Sequence, residues 1–365
     1  MQHIIISSIS DIQYQQPLIR MATSLANNGF KVTMVGRFFK NSKPLPIYNF
    51  KTKRIKVFFI KGKWQYIEYN LRLFFYLLFK PCTILTAVDL DTALAVYVAS
   101  IIKRKKRVYD AREFFTEMYE IVRRPKIKKF WLRLEKYLIP KFKNGTVVGG
   151  FIANEYKGRY GVSYTIIRNI PNLAINAPIP PNPLGTNKPY LLFQGYVNEA
   201  RGFSSLIPAM QHIDIPLVIC GHGNYYNELQ LLIKKYNVSH KVICVGMVAP
   251  ENMLAYTLNA TIGILLIEAI GLNQKYSLAN KFFDYIHACL PQVSINLPEY
   301  SKINSEHNVA LLVNKLEIDE ISTAIKSLLY NKQLYAHLKA NCSKARNVLC
   351  WQKEEKFLIA FYKSL

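Results

Sequence analysis

The chain has 365 residues, half of them apolar, with 48 Lys and Arg against 23 Asp and Glu and a formal charge of +25. That length exceeds one ordinary core and suits two domains, and the globular composition excludes a disordered chain. Residues 1–170 hold 31 Lys and Arg against 10 Asp and Glu, and residues 171–365 hold 17 against 13, so attraction for anionic lipid, nucleic acid or another polyanion belongs to the first half.

The first ten residues have no basic segment and too short an apolar run for a secretory signal. In the first half, short apolar runs at 3–7, 31–35, 56–60, 83–86, 107–109 and 146–148 predict strands. Helical periodicity at 15–28 and 91–103 predicts helices between them. The most apolar region, 71–102, is interrupted by Arg72, Lys80, Asp89 and Asp91, so it is not expected to span a membrane. Residues 121–143 set Phe130, Leu134, Tyr137 and Leu138 at helical spacing. Lys126, Lys128, Lys129, Arg133, Lys136, Lys141 and Lys143 surround them, and Trp131 reads as an interfacial aromatic. Residues 66–80, flanked by Lys61, Lys63 and Lys80, form a second such stretch. Basic amphipathic helices of this kind lie in a membrane interface.

Residues 171–189 contain Pro171, Pro178, Pro180, Pro181, Pro183 and Pro189. They cannot continue a sheet and read as an extended linker and hinge. Beyond it, strands are expected at 190–194, 216–220, 241–245, 261–267, 292–295 and 310–313. Helices are expected at 204–212, 225–236, 278–289 and 317–330, with a last one at 351–363. Strand–helix alternation with buried β-branched strands implies two α/β domains with parallel sheets, and such sheets bind ligands beyond the carboxyl ends of their strands. The six cysteines form no CxxC pair and no zinc spacing; they read as buried thiols in a reducing compartment.

Three strand ends in the second half carry polar residues and glycines together. Gly195 and Tyr196 follow the first strand, with Arg201 and Gly202 just beyond. Close backbone approach at a glycine and a bidentate guanidinium suit a diphosphate. Gly221 and Gly223 follow the next strand, where a tight turn alone would also ask for glycine. The third end is richest: Glu268, the turn at Gly271 and Leu272, then a helix with Asn280, Lys281 and Asp284. Asn280 and Asp284 share a helix face. A carboxylate there suits ribose hydroxyls, Lys281 suits phosphate, and Glu268 suits sugar hydroxyls.

Residues 268–291 resemble the donor-binding signature of the retaining glycosyltransferases of the GT-B fold, family 4. Glu268-Ala-Ile-Gly271 is similar to the family's Glu-x-Phe-Gly, and Asp284 takes the place of its second glutamate, ahead of Pro291. Gly195 with Arg201-Gly202 resembles the diphosphate loop, Arg201 replacing a lysine, and Gly221-His222-Gly223 resembles the Gly-x-Gly turn. The form Ser-x-x-Asn-Lys-x-Phe-(Asp/Glu)-Tyr resembles members that build bacterial surface polysaccharides. Three features depart from the pattern. Glu268 and Asp284 have fifteen residues between them, an insertion of about one loop. Tyr196 replaces the first diphosphate arginine, and Cys289 replaces a glycine. In the first half, the stretch 109–117 resembles the family's Asp-x-His-Glu segment, with Arg112 in place of the histidine. An arginine cannot be a general base, which leaves Asp110, Glu113, Glu117 or the departing phosphate for proton transfer. Ser8 and Asp11 lie where the resemblance implies an acceptor-side loop.

The resemblance implies a GT-B architecture, two Rossmann-like doubly wound α/β domains facing across a cleft. Residues 1–168 with a C-terminal helix at 350–365 would bind the acceptor, and residues 169–349 would bind the donor. It implies transfer from a nucleotide-diphosphate sugar such as a UDP- or GDP-sugar to a saccharide acceptor, lipid-linked, with retention, in cell-surface polysaccharide synthesis. Glu268, Arg201, Lys281 and Asp110 would carry catalysis, with Arg112, Glu113, Ser8 and Asp11 on the acceptor side. No metal, no other cofactor and no nucleic acid are expected. The expected location is the cytoplasm, peripheral on the inner face of the cell membrane. A nucleotide-sugar 2-epimerase on the same fold and a polyanion- or nucleic-acid-binding protein are the two alternatives. The chain has no helix-turn-helix, RNP or zinc-finger pattern, and a lipid-linked acceptor accounts better for charge confined to one half.

Overall fold

Each half of the chain builds one parallel sheet whose strands are buried apolar runs, as expected where helices cover both faces. The computed structural model describes residues 1–174, 180–186 and 188–365; Pro178 of the proline-rich segment lies outside them. The chain divides into one unit of residues 1–169 with 354–365 and a second of residues 170–353.

In the first unit the order is β1 (His3–Ser7), α1 (Gln16–Asn27), β2 (Lys31–Phe38), β3 (Lys51–Lys56), α2 (Gly62–Phe79), β4 (Ile84–Val88), α3 (Leu90–Ile102) and β5 (Lys106–Ala111). A short α4 (Tyr119–Val122), α5 (Pro125–Leu138), β6 (Asn144–Val147), α6 (Gly150–Tyr160) and β7 (Thr165–Ile166) follow. The strands lie in the order β3-β2-β1-β4-β5-β6-β7, all parallel. At β6 a Cβ on Gly145 would come within 2.6 Å of the Tyr164 ring. The bare glycine lets that aromatic lie flat on the sheet.

The second unit runs β8 (Leu191–Gln194), α7 (Phe203–Ala209), β9 (Leu217–Cys220), α8 (Tyr226–Lys235), β10 (Val242–Gly246), α9 (Pro250–Asn259), β11 (Ile262–Leu265), α10 (Leu272–Lys275) and α11 (Asn280–His287). It continues through β12 (Gln292–Ile295), α12 (Pro298–His307), β13 (Ala310–Val313), α13 (Ile318–Tyr330) and α14 (Lys332–Ala345). Its order is β10-β9-β8-β11-β12-β13, again parallel. On β11, a Cβ at Gly263 would meet the Tyr285 ring at 2.5 Å. That ring is fully buried, and its hydroxyl donates to the Leu192 carbonyl at 3.1 Å.

The last helix, α15 (Trp351–Ser364), begins in the second unit and finishes in the first. Within the first unit Glu354 is buried and pairs with Arg168 at 2.9 Å. Glu355 accepts from Ser24 at 2.7 Å, and Tyr362 shares a hydrogen bond with Thr86 at 3.0 Å.

Three expectations are corrected. The strand expected at 56–60 is displaced to Lys51–Lys56. The apolar run after it, with Phe58 84% and Ile60 69% exposed, never enters the sheet. The Glu68 carboxylate on α2 accepts the backbone N–H groups of Phe58 and Phe59 at 2.9 Å each, so a helix side chain takes donors that a ladder would need. The actual β3 is a lysine-rich edge strand, a composition that discourages pairing with another chain.

Trp131 is not interfacial. It is buried on α5 against Phe115, ring centroids 4.8 Å apart, while Phe130 and Tyr137 of the same helix are exposed. The adjacent Lys128 is held by Glu117 at 3.0 Å. Of the six cysteines, all free, Cys244 and Cys289 are only half-buried.

Candidate functional site

β9, β8 and β11 are neighbours and parallel, so their carboxyl ends lie side by side. This is where loops of a doubly wound sheet converge on a ligand. The first two loops are locked backbone to backbone. Gly195 donates to the Cys220 carbonyl at 2.9 Å, Val197 to that of His222 at 3.3 Å, and Tyr225 to that of Val197 at 3.0 Å. A Cβ on Gly221 would stand 1.8 Å from the Gly195 oxygen, and one on Gly223 would stand 2.3 Å from the Val197 oxygen. Only glycine fits, for close approach between the loops as much as for approach to a ligand. Gly195 itself has φ +114, a conformation open to glycine.

The third loop is pinned to the first. The Glu268 N–H donates to the Ala200 carbonyl at 3.2 Å, which sets Glu268 beside Arg201. Ala200 has φ 60, a non-glycine residue in the left-handed region, and such outliers concentrate at functional sites. Gly202 packs so closely on β11 that a Cβ would lie 2.7 Å from Leu266.

Lys281, at the start of α11, reaches back over this ground. Its Nζ lies 3.7 Å from the centroid of the Phe193 ring and would stand 3.6 Å from a Cβ built on Gly195. Burial, and next the charge of Arg201, hold its pKa well below the ordinary lysine value, against a smaller opposing pull from Asp284. Among the described residues neither Arg201 nor Lys281 has an ion-pair partner. Glu268, half-buried, likewise has no side-chain partner there. Two cations and an acid left uncommitted at the carboxyl end of one sheet can accept an anion and a hydroxyl-bearing group.

Asp284 is oriented by a residue that the sequence reading passed over. Gln194, 5% exposed at the end of β8, donates its amide to the Asp284 carboxylate at 2.9 Å. Its own carbonyl accepts from Thr257 at 2.8 Å. The signal was one polar residue closing the buried strand Leu-Leu-Phe-Gln. Asn280 is exposed, one turn from Asp284 on α11. Tyr196 is 57% exposed, and His222 stacks on Tyr226 at 4.4 Å. The extra residues between Glu268 and Asp284 form the short α10, with Gly271 at φ 87 ahead of Leu272. Buried Tyr300 closes that loop, sharing a hydrogen bond with Ser277 at 3.1 Å and accepting the Ala279 N–H at 3.0 Å. A groove lined by Val245, Met247, Val248 and Tyr256 lies beside β10 and contains none of the charged site residues.

In the first unit, Asp110 is buried with both oxygens committed, to Arg112 at 2.7 Å and Thr146 at 2.7 Å. Its geometry is that of a group orienting Arg112. Asp89, also missed from sequence, follows β4 at φ 57. It accepts the N–H groups of Arg112 at 2.8 Å and Glu113 at 3.0 Å, and burial holds its carboxyl well above the usual range. Its position straight after a strand was the available signal. Glu113 is exposed. Asp11 pairs with Arg54 at 2.8 Å and bonds Ser42. Ser8 is buried, and its carbonyl accepts from Tyr69. Glu117 pairs with Lys128 and Arg159.

Residues 177–345 match the family model of glycosyl transferases group 1. No curated protein matches the chain. Among solved structures, the sucrose-phosphate synthase of Thermosynechococcus elongatus superposes with a TM-score of 0.81 at 14% identity, over 100% of this chain and 99% of the other. The Anabaena protein HepE, in complex with UDP and glucose, superposes at 0.79 and 11% identity over 100% of both chains. WaaG, a glycosyltransferase involved in lipopolysaccharide biosynthesis, superposes at 0.70 and 13% identity over 99% of both. The two parallel Rossmann-like sheets are those of the GT-B glycosyltransferase fold, and family match and fold together support a glycosyltransferase.

Proposed function

We propose that the protein transfers a sugar from a nucleoside-diphosphate sugar to a saccharide acceptor with retention of configuration. The observation that carries this reading is the uncommitted trio Arg201, Lys281 and Glu268 at adjoining strand ends, inside the segment that matches the glycosyltransferase model. HepE was crystallised with UDP and glucose, which supports a donor of that class, a UDP- or GDP-sugar. The acceptor in this reading is a lipid-linked saccharide in cell-surface polysaccharide synthesis, used at the cytoplasmic face of the membrane. The first unit holds it in this reading, with Arg112 and Glu113 among the residues that contact it.

The chemistry then follows from charge. The bond between the sugar's anomeric carbon and the β-phosphate oxygen breaks as a bond to the acceptor oxygen forms, and the acceptor proton passes to the departing phosphate. Negative charge grows on the diphosphate. Arg201, Lys281 and the N–H groups of the glycine loops are the fixed donors that stabilise it, so no metal is required in this reading. Asp284 holds the ribose hydroxyls and Glu268 the donor sugar.

A thermal-shift series with UDP, GDP, ADP and their glucose derivatives tests it. One nucleoside diphosphate should raise the melting temperature, because a ligand bound only by the folded state stabilises it. No shift with any of them, or epimerised donor formed without acceptor, would sink the reading. Gln194→Leu should raise the donor KM by about tenfold, the cost of removing a hydrogen bond to a charged group, with kcat changed far less. Thr257 keeps its bond to the Met253 carbonyl, so the fold should tolerate the change. An unaltered KM would remove Gln194 from the site.

A further inference from the structure

Lys281 stands where a lysine has little reason to stay. Its ammonium lies on the Phe193 ring at 3.7 Å. The charged groups that face it are Arg201, which repels it, and Asp284, whose pull is the weaker. A lysine has a flexible stem and a strongly hydrated head, so its chain could swing the charge into water. The backbone beneath it is no firmer by itself. α11 is eight residues long and Ala279, its N-cap, makes no side-chain cap. A helix shorter than about 12 residues is marginal alone, and its open first turn is the part that frays.

The turn is secured from α12. The Tyr300 hydroxyl accepts the Ala279 N–H at 3.0 Å, the bond that the distal side chain of a capping box supplies to an N-cap. The Tyr300 ring lies 4.9 Å from that of Phe282, which is also fully buried. Residues 279 and 282 flank Lys281, so one tyrosine grips the turn on both sides of the lysine. The same hydroxyl shares a hydrogen bond with Ser277 at 3.1 Å and so ties down the end of the loop that began at Glu268. Burial raises the Tyr300 pKa, opposed by these two bonds and by the charge of Arg201, which sets the hydroxyl in the neighbourhood of both cations. Tyr300 is itself fully buried, out of reach of any ligand. Whatever it contributes to binding, it contributes through the turn.

We propose that Tyr300 is a positioning residue for recognition of the donor diphosphate: its hydroxyl fixes the first turn of α11 and so keeps the Lys281 ammonium over Gly195. The identity of the anion rests on the transferase reading. The placement of Lys281 does not, and it can be measured without any ligand, so the two fail separately.

Tyr300→Phe removes the hydroxyl and keeps the ring against Phe282. Losing a buried hydroxyl lowers the melting temperature on any account, so the slope with pH is the measure. In the native chain stability should rise with pH between the lowered pKa of Lys281 and the ordinary lysine value, because the unfolded chain there binds more protons. In Tyr300→Phe the ammonium turns to water, regains an ordinary pKa, and that slope should flatten. UDP or GDP should bind about fivefold more weakly, the scale of one lost hydrogen bond. In a Lys281→Met background the same change should cost no further affinity, since residues that act as a unit are not additive. Ala279→Pro breaks the bond from its other end, and proline matches the Ala279 φ of −67; it should reproduce both effects should the phenylalanine variant not fold. A pH slope that neither variant alters overturns the proposal, whether or not a nucleotide binds. So does an affinity that falls as far in the Lys281→Met background as in the native one, which would leave Tyr300 a purely structural part.

Discussion

Lys281→Met should give a protein that melts higher than the native chain and binds nucleoside diphosphate at least about tenfold more weakly, the scale of a lost charge-assisted hydrogen bond. The two effects come from one fact. The ammonium is pressed against the Phe193 ring, beside the like charge of Arg201, with no ion-pair partner among the described residues. Removing the unpaired charge relieves the folded state; removing the cation also deprives a bound diphosphate of its counter-charge. The sign with pH is fixed by the lowered pKa. Between the folded value and the higher unfolded one, the unfolded chain binds more protons, so stability rises as pH climbs through that window. That slope should be absent from the methionine variant. Diphosphate binding needs the ammonium, so affinity in the native chain should fall as pH rises through the lowered pKa. Melting curves across pH, with and without UDP and GDP, measure all of this. A variant that melts lower and binds as tightly as the native chain would place Lys281 in a structural part.

Glu268→Ala should lower kcat/KM by about 10²–10³-fold, the range seen when a group aimed at the reacting centre is lost, with the melting temperature unchanged. The fold should survive because the carboxylate has no side-chain partner among the described residues. Residue 268 is held by its backbone N–H on the Ala200 carbonyl, which alanine keeps. Glu268→Gln separates two parts the carboxylate could play. Glutamine still accepts from sugar hydroxyls, so a large residual activity would show that hydrogen bonding suffices. Activity as low as that of the alanine variant would show that the negative charge itself is needed, opposite a sugar ring that becomes positive as its bond to phosphate breaks. Native turnover in the alanine variant would exclude Glu268 from the site.

Much of this architecture was legible before any coordinates. Short buried runs such as Leu-Val-Ile-Cys at β9, closed by Gly221 and followed by helical periodicity, read as strands of a covered parallel sheet. The bounds of β1, β12 and β13 came out to the residue. The short β7 and α14 were not foreseen: the first is two residues long, and the second follows α13 across a single residue, Asn331, that caps it. The run 56–60 misled because β-branched and aromatic residues look alike in a strand and on an exposed loop.

What the sequence determined by itself was local: which segments are helix or strand, where glycine must stand, and that the positive charge belongs to the first half. Tertiary structure decided which face of each element is covered and which distant residues meet. Periodicity says that Leu71 and Leu73 lie on opposite sides of α2; only packing shows that Leu73 is buried and Leu71 exposed. Trp131 was misjudged for the same reason, since either face of an amphipathic helix can hold its aromatic residue. Gln194 and Asp284 are ninety residues apart and meet because β8 and β11 are neighbours. Strand order and the charge environment of Lys281 are non-local quantities, set by how the elements pack and not by the run of residues within any one of them.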